Sequence, residues 1–498
     1  MTAPPADRRP PGIVETHSAY VVFLGESAYK TRKPLDLGFL DNRSVEARRR
    51  VSHAEVELNS RLAPDVYEGV LEVRGPDGEV IDHVVRMRRL PDGRSLTELV
   101  RAREEGALPA DSPDLEAGVA EVARQLDHLH AASPQPDEIR SAGAAATVAG
   151  LWRESLDHLR TLSVGEDAPE IVEDMDRLAS EFLRGRAALL EARIAAGRVV
   201  DGHGDLLTDD VYLLDDAPRV IDCLEFDDRL RFGDAMLDAG FLAMGLDELG
   251  ARDLAVVFLE AYRGFSGDDA PPTLVHHYLA YRALVRSKVT AIRAGQADDG
   301  GGADARRALE LADRAVDDLL RGRVRLVLVG GVSGSGKSTL AAPLAEALGA
   351  ELIRSDVVRR ESGREGDRYA PEAVGAVYAE MLERATGLLA LGRSVVLDAT
   401  WLEPRRRAEA ETVAADAHAE LVEISCTAPR AELAARIEAR GRAGTDPSEA
   451  TVEVLDAQLA GLAPWPDAIE VDTAARDARD AAAVRGWAER ELGPLPWA

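Results

Sequence analysis

The sequence has very little cysteine, which limits how the fold can be stabilised. Only Cys223 and Cys426 occur among 498 residues. They fall in different predicted domains, so we expect two free thiols and no disulfide framework. This composition is typical of a protein of the reducing cytoplasm, which is the location that we predict.

Lysine is the second scarce residue. Of 60 basic residues only four are lysine, and the others are arginine. A lysine ammonium is a compact point charge that a guanidinium fork does not replace in a tight phosphate-binding loop. Lys30 and Lys337 stand where kinases of two types place a lysine for ATP, whereas chance retention explains Lys33 and Lys288 adequately.

The chain also lacks an excess of positive charge, a long apolar run and an internal repeat. Its net charge of −29 argues against a protein that coats nucleic acid. No apolar run approaches the length of a membrane helix, and the N-terminus lacks the apolar stretch of a secretion signal. We therefore expect no nucleic-acid or membrane partner and leave the oligomeric state open.

The pattern of predicted elements changes along the chain and sets the expected domains. A hairpin, a serine-capped helix and two strands precede a long helical region, and alternating strands and helices begin at residue 323. This alternation predicts a doubly wound parallel sheet. The predicted divisions are a disordered tail over 1–11, an α+β domain over 12–295, a linker and connecting helix over 296–322, and an α/β domain over 323–498.

The clearest motif is GGVSGSGKST at 330–339. Residues 331–338 match G-x-x-x-x-G-K-[ST] between a predicted strand and a predicted helix. Backbone N–H groups of such a loop wrap phosphate oxygens, the lysine contacts the β/γ-phosphates and the serine binds Mg²⁺. We predict that ATP is bound by Gly331, Ser333, Gly334, Ser335, Gly336, Lys337, Ser338 and Thr339, with Ser338 as a metal ligand.

Two aspartates follow the next predicted strands. Asp356 ends the segment IRSD, and Asp398 ends VVLD. In open α/β sheets ligands bind beyond the carboxyl ends of the strands, so one carboxylate can hold Mg²⁺ while the other accepts a hydroxyl proton. Either aspartate alone is equally consistent with a helix N-cap. The nearby Arg436, Arg440 and Arg442 can close over a transferring phosphate or form a solvated helix face.

This part of the sequence resembles the small P-loop kinases, including gluconate, shikimate and polynucleotide kinases and zeta-toxin-like proteins. The matching segments are GVSGSGKST, RSDVVR, LDAT and the arginine-rich stretch 436–442. The resemblance implies phosphorylation of a hydroxyl group, with Asp356 as the catalytic base, Asp398 as a metal ligand and the three arginines as a lid.

A second group of carboxylates begins in HGDLLTDD at 203–210. Asp205 and Asp210 are followed by Asp222 in VIDCLEF. A phosphoryl transferase needs a carboxylate near the acceptor hydroxyl and oxygen ligands for Mg²⁺. The two predicted strands VYLL and RVI bring Asp210 and Asp222 to the same end of a hairpin.

Here the chain resembles the aminoglycoside phosphotransferase family and its choline-kinase-like relatives. The motifs are His203-Gly204-Asp205, Ile221-Asp222 and Gly233-Asp234 with Asp238. The resemblance implies a protein-kinase-like fold in which Asp205 is the catalytic base and His203 braces its loop. It further implies that Asp210, an asparagine in the family, and Asp222 hold Mg²⁺. Lys30 would contact the ATP phosphates and pair with Glu55, or alternatively Glu57.

The order of the two parts resembles bifunctional proteins that join an aminoglycoside-phosphotransferase-like module to an ATP-binding module. The leading hypothesis is an ATP- and Mg²⁺-dependent kinase that acts on a hydroxyl of a sugar, aminosugar or similar small molecule. One alternative keeps only the P-loop kinase active, as a zeta-toxin-like enzyme or a nucleotide or nucleotide-sugar kinase, beside a regulatory pseudokinase. Another is a nucleotide sensor without turnover. A further group of carboxylates would suit a cationic acceptor, although two also fit structural roles: Asp227, Asp228, Asp234 and Asp238.

Overall fold

The structure is a computed structural model that describes residues 11–16, 18–36, 41–161, 168–296, 301–361, 370–443, 451–475 and 479–497. All of the predicted tail except Pro11 lies outside these residues. Contacts divide the described residues into two compact units. The first comprises the residues up to Gly143 together with Arg193–Asp269, and the second comprises Ala144–Ala192 together with the residues from Ala270 onward.

These units differ from the predicted boundaries at 295 and 323, which stay predictions. The reason is the packing of helices that precede the P-loop strand. Helix α10 (Pro272–Gln296) lies along helix α11 (Gly302–Arg321), and α11 also packs on α6 (Ala168–Arg184). Contacts therefore group these helices with the residues that follow them. Helix α11 supplies the connecting helix predicted within 296–322, and residues 297–300 lie outside the described part.

A five-stranded antiparallel sheet begins the first unit, in the order β1-β2-β3-β5-β4. The predicted hairpin forms between β2 and β3, where Gly25 adopts a φ of +60° that favours glycine. Between β3 and β4 in sequence, helix α1 (Val45–Asn59) begins after Ser44, whose side chain accepts a hydrogen bond from the N–H of Ala47. The strands are β1 Gly12–Glu15, β2 Ala19–Leu24, β3 Ser27–Arg32, β4 Tyr67–Arg74 and β5 Val80–Arg88.

The rest of the first unit is mostly helical and holds two short strand pairs. Strand β6 pairs antiparallel with β9, and β7 pairs antiparallel with β8. These pairs carry the segments that contain Asp205, Asp210 and Asp222. The elements are α2 Leu96–Glu104, α3 Leu115–Ala131, α4 Asp137–Ala142, β6 Val199–Asp201, β7 Val211–Leu213, β8 Pro218–Val220, β9 Phe232–Asp234, α8 Ala235–Glu248 and α9 Arg252–Ser266. Helix α7 (Ala187–Ala195) crosses from one unit to the other.

The second unit contains the predicted parallel sheet, in the order β11-β12-β10-β13-β14, with every pair parallel. All six residues of the central strand β10 are buried, as expected of a strand covered on both faces. The strands are β10 Arg325–Gly330, β11 Glu351–Arg354, β12 Val395–Asp398, β13 Glu420–Thr427 and β14 Ile469–Asp472. The remaining helices are α5 Ala145–Thr161, α12 Lys337–Leu348, α13 Ser355–Glu361, α14 Pro371–Ala390, α15 Pro404–Asp416, α16 Arg430–Ala443, α17 Val452–Ala460 and α18 Ala481–Leu492.

The predicted fold class is confirmed in both parts. The first has the kinase-like order of an antiparallel sheet with one inserted helix followed by helices and short hairpins, and the second is a parallel P-loop sheet. Both cysteines are free and buried. Across the described ranges, no helix combines the length and the apolar character that a membrane span requires.

Candidate active sites

The ammonium of Lys30 joins three separate segments of the first unit. Its Nζ lies 2.8 Å from Glu55 Oε1 on α1 and 2.6 Å from Asp222 Oδ1 beyond β8. The Glu55 side chain is fully buried, whereas 49% of the Asp222 side chain is exposed. The structure thus contains the Lys30–Glu55 pair that the family resemblance implied, and the alternative Glu57 is not in it. Burial alone would lower the pKa of Lys30, but the two carboxylates outweigh it and raise that pKa.

Arg32 extends this pair into a buried network. Its Nη2 lies 2.5 Å from Glu55 Oε2 and 2.6 Å from Glu225 Oε1. Burial raises the pKa of Glu225, while Arg32 opposes that rise. Two cations are therefore held among three carboxylates, and the charges of Lys30 and Arg32 fix the position of α1 relative to the strand that carries them.

Asp210 and Asp222 meet at one end of the β7–β8 hairpin, as their spacing predicted. The Ile221 N–H donates to the Asp210 carbonyl oxygen at 2.9 Å, and the Asp222 N–H donates to the Tyr67 hydroxyl at 3.2 Å. Asp222 has a φ of +62°, which is uncommon for a residue other than glycine and is concentrated at functional sites. The chain therefore holds this carboxylate in a strained backbone conformation beside Lys30.

The carboxylates of this site carry more negative charge than Lys30 neutralises. Lys30 lowers the pKa of Asp222, but burial and then the charges of Asp222 and Asp205 raise the pKa of Asp210 well above its usual range. Among the residues that the structure describes, no group of three or more His, Cys, Asp or Glu side chains is arranged to hold a metal ion. Mg²⁺ is commonly bound through one or two carboxylates, substrate phosphates and water. Asp210 and Asp222 therefore fit a Mg²⁺–ATP site.

The loop of Asp205 is braced by a buried aspartate on α8. Asp238 accepts hydrogen bonds from the N–H of His203 at 2.7 Å and of Gly204 at 2.9 Å, and it lies 3.0 Å from His130 Nε2. His203 Nε2 in turn lies 3.0 Å from the Ile221 carbonyl oxygen. Although burial would raise the pKa of Asp238, its bond to His130 and the charge there hold that pKa low. An ionised acceptor thus holds the backbone of the Asp205 loop, and the His203 ring links that loop to the segment of Asp222.

The acidic residues that suggested a cationic acceptor already have partners within the protein. Asp234 pairs with Arg193 at 2.6 Å, and Asp238 is the brace described above. Asp227 pairs with Arg229 at 2.7 Å and Asp228 with Arg231 at 2.7 Å. These contacts favour a structural role for Asp234 and Asp238. The four carboxylates therefore give no support to a positively charged acceptor.

In the second unit the phosphate loop requires glycine at defined points. Gly331 has a φ of +135°, and a Cβ there would lie 2.5 Å from the Cys426 carbonyl oxygen. Gly334 has a φ of +80°, and a Cβ there would lie 2.6 Å from the Leu433 carbonyl oxygen. The buried Ser335 Oγ has no hydrogen-bond partner within the described part of the chain. Helix α12 starts at Lys337, so Lys337, Ser338 and Thr339 form its first turn below the loop.

The two predicted carboxylates lie along the carboxyl edge of the parallel sheet. Asp398 ends β12 opposite Val329 of β10, and it accepts a hydrogen bond from Arg354 Nε at 3.2 Å. Its buried Oδ1 has no hydrogen-bond partner among the described residues, which suits a metal ligand. Asp356 belongs to α13 and lies two residues beyond the end of β11, and its Oδ1 accepts a hydrogen bond from Arg359 at 2.5 Å.

The three predicted lid arginines lie within α16 and have different surroundings. Arg436 Nη1 donates to Thr473 Oγ1 at 2.9 Å and to the Gly334 carbonyl oxygen at 3.4 Å. Arg440 is half-buried, and its Nη2 has no partner in the described ranges. Arg442 is exposed and donates to the Glu438 carbonyl oxygen at 3.3 Å. Arg436 therefore supports the phosphate loop directly, while the lid role of all three stays a prediction.

Known proteins match both the whole chain and its parts. An uncharacterized protein of Mycobacterium tuberculosis (strain ATCC 25618 / H37Rv) is 41% identical over 473 residues, which are 92% of each chain. This chain belongs to the family of that mycobacterial protein. A family model described as an AAA domain also matches residues 326–465. The matched range includes the phosphate loop, Asp356, Asp398 and the arginines of α16.

Solved structures are similar to separate parts of this family member. A choline/ethanolamine kinase family protein of Mesorhizobium loti is 16% identical and covers 64% of this chain and 95% of its own, with a TM-score of 0.38. A sugar kinase of Janibacter sp. HTCC2649 is 21% identical and covers 35% of this chain and 96% of its own, with a TM-score of 0.27. The fold assignment rests on the strand order and the phosphate loop.

Several contacts around the sites join residues that are far apart in the sequence, and sequence reasoning missed them. Arg32 and Glu225 complete the Lys30 network, and Gln458 of α17 accepts a hydrogen bond from the Ser333 N–H at 2.7 Å. Thr473 donates to the Ser335 carbonyl oxygen at 2.7 Å. Of these residues, only Glu225 could have been found from the sequence, because it lies three residues after the motif residue Asp222. The roles of the predicted site residues stay predictions, and the structure gives their positions.

Proposed function

We propose that the chain is an ATP- and Mg²⁺-dependent kinase whose two modules each transfer a phosphoryl group to a hydroxyl of a small molecule. The observation that carries this proposal is the convergence of Lys30, Glu55 and Asp222 beside Asp210, in a chain that also has a complete phosphate loop. Bound Mg²⁺–ATP would supply the phosphoryl group and neutralise its charge.

In the first module Asp205 acts as the base that accepts the proton of the acceptor hydroxyl. Asp238 supports this role because it fixes the backbone of the two preceding residues, His203 and Gly204. Lys30 binds phosphate oxygens while Glu55 keeps its ammonium in place. Asp210 and Asp222 would hold the metal ion, whose charge would oppose the burial and the repulsion that together raise the pKa of Asp210.

In the second module the backbone N–H groups of residues 331–337 and the Lys337 ammonium bind phosphate oxygens. Ser338 and Asp398 would hold the metal ion, and Asp398 Oδ1, which has no hydrogen-bond partner among the described residues, supports that assignment. Asp356 at the same sheet edge accepts the hydroxyl proton. Its Oδ1 accepts a hydrogen bond from Arg359, which holds the carboxylate in place.

The acceptor that we propose is a sugar, aminosugar or similar polyol. A strongly cationic acceptor has less support, because the carboxylates that would attract it are paired with arginine or histidine. Phosphoryl transfer to a neutral hydroxyl needs positioning and a base more than a charged pocket.

A screen with γ-labelled ATP over sugars, aminosugars and aminoglycosides tests the proposal. Wild-type protein is compared with Asp205→Asn, with Lys337→Ala and with the double variant. Two active modules predict that each single variant loses a distinct labelled product and that the double variant loses both. If only Lys337→Ala has an effect, the first module is regulatory. Binding of ATP without any labelled product over the whole screen would contradict catalysis and favour a nucleotide sensor.

A further inference from the structure

A cavity of about 290 Å³ lies in the second unit, away from the phosphate loop. Its walls come from α6, α10 and α11 and from the amino ends of strands β10 and β13, at Val324 and Glu420. The phosphate loop follows the opposite, carboxyl end of β10. Six strand residues span roughly 20 Å, so the cavity and the loop are separate places on one sheet.

Arg186 gives this cavity a buried cation. Its Nη1 donates to the carbonyl oxygens of Gly185 at 2.7 Å and Ala417 at 2.8 Å, and its Nη2 donates to that of His418 at 3.1 Å. All three acceptors are neutral, and in the described ranges nothing accepts from Nε. Burial lowers the pKa of Arg186 to about 10, although the exposed Glu181 opposes that change.

His277 adds a second buried donor to the same cavity wall. Its Nε2 accepts a hydrogen bond from Trp152 Nε1 at 3.1 Å, and its ring stacks on Phe182 with 4.3 Å between centroids. Burial lowers the pKa of His277 to about 3, so the ring is neutral near pH 7 and Nδ1 carries the hydrogen. The described residues offer that hydrogen no acceptor.

The other charges around the cavity leave a cationic surplus. Glu420 is already paired with Arg323 at 2.9 Å and with Arg325 at 2.8 Å. Arg177, which pairs with Asp174 at 2.7 Å, and the left-handed residue His418, with a φ of +46°, also line the cavity. A buried donor without an acceptor is destabilising and uncommon in native proteins. Two such donors among the described residues belong to side chains that line this cavity, and one of them is a cation whose hydrogen-bond acceptors are all neutral.

We propose that this cavity binds a small oxyanion, either inorganic phosphate or the phosphate or carboxylate group of a small metabolite. Such a group has only acceptors, and it would satisfy both Arg186 Nε and His277 Nδ1 while it neutralises the guanidinium. The volume is at the lower end of that of ligand pockets, which fits a compact ligand. The site is distinct from both candidate ATP sites.

Calorimetric titration of the full chain tests this site. The parent protein carries Lys337→Ala, so that the phosphate loop contributes little to binding. The probes are inorganic phosphate, glycerol phosphate and malonate, which separate the free ion, the phosphate ester and the carboxylate. We expect saturable binding of at least one probe, and Arg186→Lys should weaken it at least tenfold because lysine keeps the charge but loses the Nε donor and the fork.

Arg184→Lys is the matched control, because Arg184 is exposed at the end of α6, two residues before Arg186. It should bind the probe as the parent does. Equal binding by Arg186→Lys, or no binding of any probe, would overturn the proposal. If Arg186→Lys does not fold, Leu320→Phe tests the site instead. The larger phenylalanine side chain would fill the cavity and leave both donors intact. Loss of binding in that variant supports the site, and unchanged binding refutes it.

Discussion

The two candidate ATP sites are built in opposite ways. The first uses side chains from distant segments, since Lys30 and Asp222 are 192 residues apart in the sequence and only 2.6 Å apart in space. The second uses a short continuous loop whose glycines let the backbone approach Cys426 and Leu433 closely. One site depends on long-range ion pairs, and the other depends on local backbone geometry.

This difference teaches where each site is vulnerable. In the first site the charge of Lys30, which would bind ligand, also stabilises the fold, because it neutralises the fully buried Glu55. In the second site the loop conformation comes from the backbone and from packing, so its lysine is available to the ligand. The same substitution of a lysine should therefore have different consequences in the two places.

The largest expected effect on ATP binding is that of Lys337→Ala. The variant removes the ammonium from the loop while the loop glycines keep their conformation, so we expect the second module to lose at least roughly 100-fold in activity with little change in the unfolding midpoint. Formation of the labelled product of the second module and thermal unfolding measure the two quantities, and calorimetry with ATP measures the loss of binding. Lys288→Ala is the control outside the loop. A large loss of stability in Lys337→Ala would contradict the claim that this lysine, unlike Lys30, does not stabilise the fold.

Lys30→Met should affect both function and stability. It leaves Glu55 with Arg32 as its remaining cation, and we expect the first module to lose activity and the free energy of unfolding to fall by about 3 kcal/mol. Urea unfolding measures the second effect. Lys33→Met is matched to it, because Lys33 pairs with the exposed Glu15 and its loss should be nearly neutral. Equal stability of the two variants would contradict the buried network.

Asp210→Asn sharpens the comparison through its pH dependence. The pKa of Asp210 is raised in the folded protein, so its contribution to stability is complete below the usual carboxyl pKa and is lost as the pH rises through the raised value. Without metal, the variant should be more stable than wild type at pH 7, because the neutral amide removes a buried charge that Asp222 and Asp205 repel. Thermal unfolding between pH 4 and pH 8 measures this difference.

The same variant should bind Mg²⁺ more weakly, because a neutral amide replaces a charged ligand. A titration of Mg²⁺ followed by the unfolding midpoint separates this effect from the gain in stability. Wild type that is equally stable at pH 4 and pH 7, or a variant that is less stable without metal, would show that Asp210 carries no excess repulsion.

The smallest expected effect concerns Gln458. Its side-chain oxygen accepts from the Ser333 N–H, a group that the phosphate loop would offer to ATP. Gln458→Ala should therefore tighten ATP binding a few-fold, within the roughly 0.5–1.5 kcal/mol of one net hydrogen bond. Gln458→Glu places a charged acceptor there and should weaken binding. Tighter binding by both variants, or by neither, would exclude this competition.

Much of the architecture could be predicted because its signals are local. The β2–β3 hairpin, the Ser44 cap and the parallel sheet with its phosphate loop follow from short patterns, and the structure contains each of them. The spacing of Asp210 and Asp222 also predicted their meeting, because a two-stranded hairpin fixes which residues share an end. The separation of the units was harder to predict, since the packing of α10 with α11 depends on whole helix surfaces.

The surroundings of the sites were mostly beyond sequence reasoning. No spacing connects Arg32 to Glu225, Ser333 to Gln458 or Ser335 to Thr473, because each pair joins elements that meet only after folding. Asp238 had two interpretations in the sequence, as an acceptor-binding carboxylate and as a brace. Its hydrogen bonds to His203 and Gly204 favour the brace.

The sequence by itself determined the phosphate loop and the identity of the carboxylates, because glycine, lysine and aspartate at fixed spacing have chemical properties that no neighbour needs to supply. Only the tertiary structure decided which charges are neutralised and which are left over. Burial and distance set the energy of a charge, and both depend on residues far away in the chain. Lys30 between two carboxylates and Arg186 among neutral carbonyl oxygens are the same kind of cation in two different environments.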